Sequence, residues 1–124
     1  QSGSLIELEG VRGEIVTALG RDVAQHVTAT DPIGVSEADI PTDVLARERR
    51  IAEEQVAQEG KPETIRGKIV DGKVRKFVTE RTLLGQNFVR DETKTVAELV
   101  KEAAKQAGGA LAVTRLARFK VGEG

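Results

Sequence analysis

The side chains that could perform catalysis or bind a metal are few in this sequence. His26 is the only histidine and there is no cysteine, which excludes thiolate zinc sites and leaves His26 without a partner nucleophile. No phosphate-binding, dinucleotide-binding, serine-hydrolase or zinc-protease spacing occurs. Gly108 and Gly109 follow a predicted helix, whereas a phosphate cradle precedes one. We therefore predict no enzyme, no metal and no cofactor, and we interpret His26 as a structural or partner-surface residue.

The charged residues have the distribution of solvent-exposed helix faces. A hydrolase that uses a carboxylate pair such as Glu53 and Glu54 is one alternative, but no base–nucleophile pair accompanies it. Lys73, Arg75 and Lys76 contact either solvent or an acidic partner. The formal net charge is −1 and there is no Trp or Tyr, which gives no support to nucleic-acid binding.

The composition predicts one small domain with an appendage. Of the 124 residues, 39% are hydrophobic and 31% are charged, which predicts a small hydrophobic core and a large solvent-exposed surface. No apolar run approaches the ~20 residues of a membrane span, and no signal-peptide pattern is present. Because methionine is absent, we expect a fragment or a processed chain.

Alternating side chains predict a strand near each end of the sequence, over residues 4–9 and 111–121. The first strand places Ile6 and Leu8 on one face. The second strand places one group of residues on one face, namely Val113, Ala117, Phe119 and Val121. Its other face carries Leu116, Arg118 and Lys120. Two strands alone are marginally stable, so we expect a further strand or covering helices to complete the sheet.

Two further helices are predicted beside this sheet. Residues 14–29 carry a stripe of apolar residues at intervals of four, Ile15, Leu19, Val23 and Val27. The segment from Thr95 to Glu98 is a capping box, which predicts a helix that runs to about Gln106. Between these helices, residues 83–94 are interpreted as an irregular link in which Leu83, Leu84 and Phe88 are buried, and Ser36 as the cap of one short turn.

Residues 42–81 predict a helical hairpin. The first helix runs from about Asp43 to Glu59 with Thr42 as its N-cap, and seventeen residues give an arm of roughly 25 Å. Gly60 ends this helix, and Pro62 lies in the first turn of a second helix that continues to Arg81. The apolar residues of the second helix are spaced by three and four, which is typical of an antiparallel coiled coil with Gly-Lys-Pro at its tip.

These elements together predict an α+β fold. We expect a small antiparallel sheet packed on helices, with a projecting antiparallel two-helix coiled-coil arm. The predicted division is an α+β core subdomain of residues 1–41 and 82–124 and an arm of residues 42–81.

Several motifs resemble the elongation factor Ts family. Residues 40–77, IPTDVLARERRIAEEQVAQEGKPETIRGKIVDGKVRKF, are similar to the family's arm, with its GKPE tip. Residues 83–91 (LLGQNFVRD), 94–103 (KTVAELVKEA) and 118–124 (RFKVGEG) resemble its later motifs. DVAQHV (22–27) and GSLIELEG (3–10) resemble its first core helix and the strand before it. The resemblance covers essentially the whole chain.

The resemblance implies the C-terminal part of the core of a cytoplasmic guanine-nucleotide exchange factor that binds elongation factor Tu. It implies no direct binding of nucleotide, nucleic acid or membrane. The family's N-terminal helical module and its Thr-Asp-Phe-Val motif do not occur in this sequence. We therefore expect partner binding without full exchange activity. The alternative is a structural adapter that self-associates through an open sheet edge.

The residues expected on the partner surface lie mainly in the arm. They are His26, Gly60, Lys61, Pro62, Glu63 and the exposed Lys73 and Lys76. Turn formation alone would also explain Gly60 and Pro62. For Leu84, Gln86 and Phe88 we expect packing in the core.

Overall fold

The structure is a computed structural model that describes residues 2–120, with side chains for residues 3–118. Val121, predicted to end the last strand, lies outside this range. The elements in order are β1 (Ser2–Gly10), α1 (Glu14–Thr30), α2 (Thr42–Gln58), α3 (Glu63–Arg81), β2 (Asn87–Phe88), β3 (Asp91–Thr95), α4 (Val96–Ala107) and β4 (Leu111–Lys120). A 3-10 turn, Glu37–Asp39, precedes α2. The predicted α+β class is confirmed.

The two terminal strands pair with each other, as the alternation predicted. β1 is antiparallel to β4, and α1 and α4 pack beside this sheet. The pairing is irregular at one point: Glu7 lies opposite Arg115, but the next residue, Leu8, lies opposite Val113. Thr114 is therefore an extra residue in β4, a β-bulge.

The bulge corrects the predicted faces of β4. We expected Val113 and Ala117 to share one face and Leu116 to lie on the other. Leu116 instead packs against the same core as Val113, and Ala117 is exposed. One extra residue shifts the two-residue period of a strand, so the described side chains beyond it, residues 115–118, change face. The predicted faces of Phe119 and Lys120 concern side chains outside the described range.

The core lies between the sheet, α1, α4 and the loop residues next to the arm. Its buried members are Leu19, Val23, Val27, Val35, Leu83, Val96, Val100, Ala103 and Val113. Ile6 and Leu8 pack against them from β1, as predicted. The predicted stripe on α1 holds except at Ile15, which is 41% exposed because it lies in the first turn, beyond the packed part of the helix.

The link after α3 is more regular than the sequence indicated. β2 and β3 form a second two-stranded antiparallel sheet, which does not join the first. Leu83 and Phe88 are buried as expected, whereas Leu84 is half-buried. Within residues 2–120 no further strand joins the β1–β4 sheet, so β2 and β3 are not the strand that we expected to complete it. Of the expected alternatives, the structure shows helices packed beside the sheet, α1 and α4.

The helix ends follow local signals. The Thr95 hydroxyl accepts a hydrogen bond from Glu98 N, and the Glu98 carboxylate accepts one from Thr95 N, both at 3.2 Å. The predicted capping box is therefore present. The two arm helices begin one residue away from the predicted positions: Pro41 and Pro62 are the N-caps, and Thr42 lies inside the first turn.

Candidate functional site: the helical arm and its base

The helices α2 and α3 pack antiparallel on each other, and we call this hairpin the arm. Its own small core consists of the buried Ala52, Val56 and Val70, with Ile69 and Val74 packed beside them. This cluster is separate from the main core. The arm is therefore stabilised chiefly by contacts between its own two helices.

The tip of the arm brings four of the predicted residues together. Gly60 adopts the left-handed conformation, φ 69°, which a glycine tolerates best, and its N–H donates to Ala57 O at 3.1 Å. Arg66 Nε donates to Lys61 O at 2.6 Å, which holds the turn against the start of α3. All residues from Gly60 to Glu63 are exposed.

The predicted lysines lie farther along α3, away from the tip. Lys76 is exposed and lies 3.9 Å from Glu80. Lys73 is half-buried, so our expectation that it is exposed is wrong. Arg49 and Asp71 form an ion pair across the hairpin at 3.0 Å. The sides of the arm thus carry both signs of charge, in agreement with the solvated face considered above.

His26 is not at the surface. Its side chain is 0% exposed at the end of α1 nearest the arm. Its Nδ1 accepts from Val89 N at 3.2 Å, so the proton lies on Nε2, which donates to Gln86 Oε1 at 2.8 Å. Of the two roles considered for His26, this conformation allows only the structural one, because a partner cannot reach a fully buried ring.

Gln86, which is half-buried, is the centre of this hydrogen-bond network. Its Oε1 also accepts from Thr30 Oγ1 at 2.9 Å, and its Nε2 donates to Glu80 O at 2.9 Å. One amide therefore connects α1 with the last turn of α3. We expected core packing for Gln86 and did not include it among the site residues. A polar residue between Leu83, Leu84 and Phe88 was the available signal, because an amide that is partly removed from water needs hydrogen-bond partners.

Aromatic stacking completes the surroundings of His26. The ring stacks on Phe88 with centroids 5.8 Å apart, and Arg90 lies over Phe88 at 5.4 Å. Arg90 also pairs with Asp22, one helical turn before His26. Burial lowers the pKa of His26, and the hydrogen bond to Gln86 opposes this shift. The neutral imidazole is therefore the form that fits the site.

An open groove of about 800 Å³ lies between α3 and the loop that carries Gln86. Gly72, Arg75, Lys76 and Glu80 line it from the arm. It contains no histidine, and the described residues hold no cluster of three side chains that could bind a metal. Among residues 2–120, every helix is too short or too polar to span a lipid bilayer.

The fold and site thus define an α+β domain with a helical hairpin. At the base of this hairpin, the polar groups of His26 and Gln86 bind each other. The chain matches the family model described as Elongation factor TS over residues 1–123. It is 44% identical over 123 residues to elongation factor Ts from Sphingopyxis alaskensis, and 45% identical over 122 residues to that from Alkalilimnicola ehrlichii. Each alignment covers 98% of this chain. Elongation factor Ts from Nitratiruptor sp. is 47% identical over 104 residues, 84% of this chain.

The chain belongs to the elongation factor Ts family, a family of protein-synthesis elongation factors. It spans 34–40% of the lengths of the three relatives just named. The resemblance inferred from the arm and the later motifs is therefore confirmed, and the chain corresponds to part of such a factor.

Proposed function

We propose that this chain binds elongation factor Tu and supports the exchange of GDP for GTP during protein synthesis in the cytoplasm. The observation that carries this proposal is the family match over residues 1–123, which includes the whole arm. An exchange factor acts by linkage. It binds the nucleotide-free partner more tightly than the nucleotide-bound partner, and so weakens nucleotide binding by the same factor.

The arm tip is the contact surface that we propose within the hairpin. Gly60, Lys61, Pro62 and Glu63 are exposed together on a turn held by Arg66. Residues 1–41 and 82–124 would form the core subdomain, and residues 42–81 the arm. Lys76 is an additional contact candidate. Lys73 can contribute less because it is half-buried, and His26 acts only through the base of the arm.

We further propose that these 124 residues anchor the partner without full exchange activity. They contain no Thr-Asp-Phe sequence, which the family resemblance associates with the disturbance of the nucleotide site. These residues would thus contribute binding energy and orientation, whereas most of the coupling to nucleotide release would need the Thr-Asp-Phe motif.

The test is GDP release from elongation factor Tu, followed with a fluorescent nucleotide while binding is measured in parallel. We expect binding with little acceleration of release. Lys61→Glu reverses a charge at the tip without touching the backbone carbonyl that Arg66 binds, and should weaken binding. The matched control is Lys105→Glu in α4, an exposed lysine away from the arm. Absence of binding by a folded chain would refute the proposal, and fast release would refute the division of roles.

A second candidate is self-association through the main sheet. Within residues 2–120, β1 and β4 pair only with each other, so each has an open edge, and Leu5 on β1 is 65% exposed. Sedimentation tests this function. A dimer that Leu5→Lys dissociates would support it, whereas a monomer at high protein concentration would refute it.

A further inference from the structure

We infer that Gln86 is a positioning residue: its side-chain amide fixes the direction in which the arm leaves the core. Helix α3 continues directly into the core at Thr82, and α2 enters from the core after Pro41. The arm packs mainly on itself. Its orientation therefore depends on the few bonds at its base.

The C-terminus of α3 is held by groups from the core. The last carbonyls of a helix have no partner inside the helix. At the end of α3, Glu80 O accepts from Gln86 Nε2 at 2.9 Å and Arg81 O accepts from Ile33 N at 2.8 Å. Each of these two bonds thus caps the end of α3 and attaches the arm to the core at the same time.

These two bonds have different roles. The bond from Ile33 N continues the backbone hydrogen bonds by which residues 33–35 meet residues 81–84. It joins neighbouring chain segments but does not reach α1. Among the described side chains, only Gln86 has hydrogen bonds to both α1 and α3. It is therefore the direct side-chain link between the first core helix and the arm.

The planar amide suits this position because it combines an acceptor and a donor in one rigid group. Oε1 accepts from His26 and Thr30 on α1, while Nε2 donates to Glu80 O on α3. Val89 N fixes the imidazole tautomer from the opposite side. A rotation of α3 relative to α1 would break at least one of these bonds.

The residue before Gln86 supports the same geometry. A β-carbon on Gly85 would lie 2.6 Å from Thr79 O and 2.9 Å from Thr79 Cα. Such distances do not occur between real atoms, so only glycine lets the loop lie this close to α3. Gly85 thus brings the Gln86 amide within reach of the last turn of the arm.

A fixed arm affects partner binding if the arm and the core contact one partner together, which rests on the function proposed above. The apparent affinity falls in proportion to the fraction of molecules whose arm has the competent direction. If loss of the Gln86 link reduces that fraction to about one tenth, affinity falls about tenfold.

The decisive measurement is the distance between the arm and the core in the free chain, because it does not depend on any partner. The sequence has no native cysteine, so spin labels can be attached at Ala57→Cys near the tip and Lys101→Cys on α4, both exposed positions. Pulsed electron paramagnetic resonance then gives the distance distribution. The parent chain should show one narrow distribution.

Two substitutions separate the bonds of Gln86. Gln86→Glu keeps acceptors for His26 and Thr30 but cannot donate to Glu80 O at neutral pH, so of the three hydrogen bonds it removes only the one to the arm, and it adds one negative charge. Gln86→Met keeps the size and removes all three bonds. Asn87→Asp adds the same charge at the neighbouring exposed residue and serves as the control.

We expect Gln86→Glu and Gln86→Met to broaden and shift the distribution, with Asn87→Asp unchanged. An unchanged distribution in folded Gln86→Glu, or an equal change in the control, would overturn the inference. If Gln86→Met does not fold, Gln86→Glu alone decides, because it keeps the bonds to α1. A broadened distribution with undiminished affinity for elongation factor Tu would support the positioning role and count against the proposed contact by the arm.

Discussion

Two glycines, one inside α3 and one just beyond it, should respond in opposite ways to the same substitution by alanine. Gly67 lies in the second turn of α3, and a β-carbon there would have no atom within 4 Å apart from the neighbouring backbone of the helix itself. Alanine should therefore stabilise the protein by about 1 kcal/mol, because it has the higher helix propensity and restricts the unfolded chain.

At Gly85 the added methyl group meets backbone instead of open space. Its β-carbon would lie 2.6 Å from Thr79 O, and a helix backbone cannot move aside as a flexible side chain can. We expect Gly85→Ala to destabilise the protein by about 1–3 kcal/mol, the usual cost of overpacking. The two variants carry the same chemical change, so each serves as the control for the other.

Thermal unfolding followed by circular dichroism measures both effects. A change of 1 kcal/mol corresponds to a shift in Tm of about 4 °C for a chain of this size. Gly67→Ala should raise Tm by about that amount, and Gly85→Ala should lower it by about 4 °C or more. A lower Tm for Gly67→Ala would show that α3 needs a glycine for a reason absent from the described contacts. An unchanged Tm for Gly85→Ala would show that the loop can withdraw from α3, which would also weaken the positioning role of Gln86.

Three further predictions concern His26 at the base of the arm, the packing between the two arm helices, and the start of α4. Burial lowers the pKa of His26 below 6.5. Between the folded-state pKa and about pH 6.5, the unfolded chain therefore binds a proton that the folded chain does not. The contribution of His26 to the free energy of unfolding is complete above about pH 6.5 and falls as the pH decreases towards the folded-state pKa. Urea unfolding at about pH 7.5 and pH 5.5 should show a smaller difference for His26→Gln than for the parent chain, and equal differences would refute this assignment. Val56 is fully buried between the two arm helices, so Val56→Ala should lower the free energy of unfolding by about 2 kcal/mol. Ile51→Ala, at a residue that is 41% exposed, should lower it clearly less. Equal losses in urea unfolding would contradict the packing of the arm. Thr95→Ala should cost about 1 kcal/mol by removing the capping box of α4, and no change in the urea midpoint would show that β3 holds the start of that helix instead.

The sequence by itself was sufficient for features that depend on neighbouring residues. The capping box at Thr95, the apolar stripe of α1 and the helix stop at Gly60 each arise within one or two turns of chain. The helical hairpin followed from the same local signals, because a stop and a proline separate two segments whose apolar residues recur at intervals of three and four. The elongation factor Ts family could also be inferred from the sequence, since its motifs are continuous segments.

Only the tertiary structure decided features that join distant segments. The bulge at Thr114 arises where β4 meets β1, more than one hundred residues earlier in the sequence, and it reverses the faces that alternation predicts. His26 and Gln86 are 60 residues apart, and neither shows its partner in its local sequence. A buried imidazole and a half-buried amide each need hydrogen bonds, but the fold determines which groups come within reach. For that reason the sequence left both a structural and a partner-surface role open for His26, whereas the structure buries it at the base of the arm.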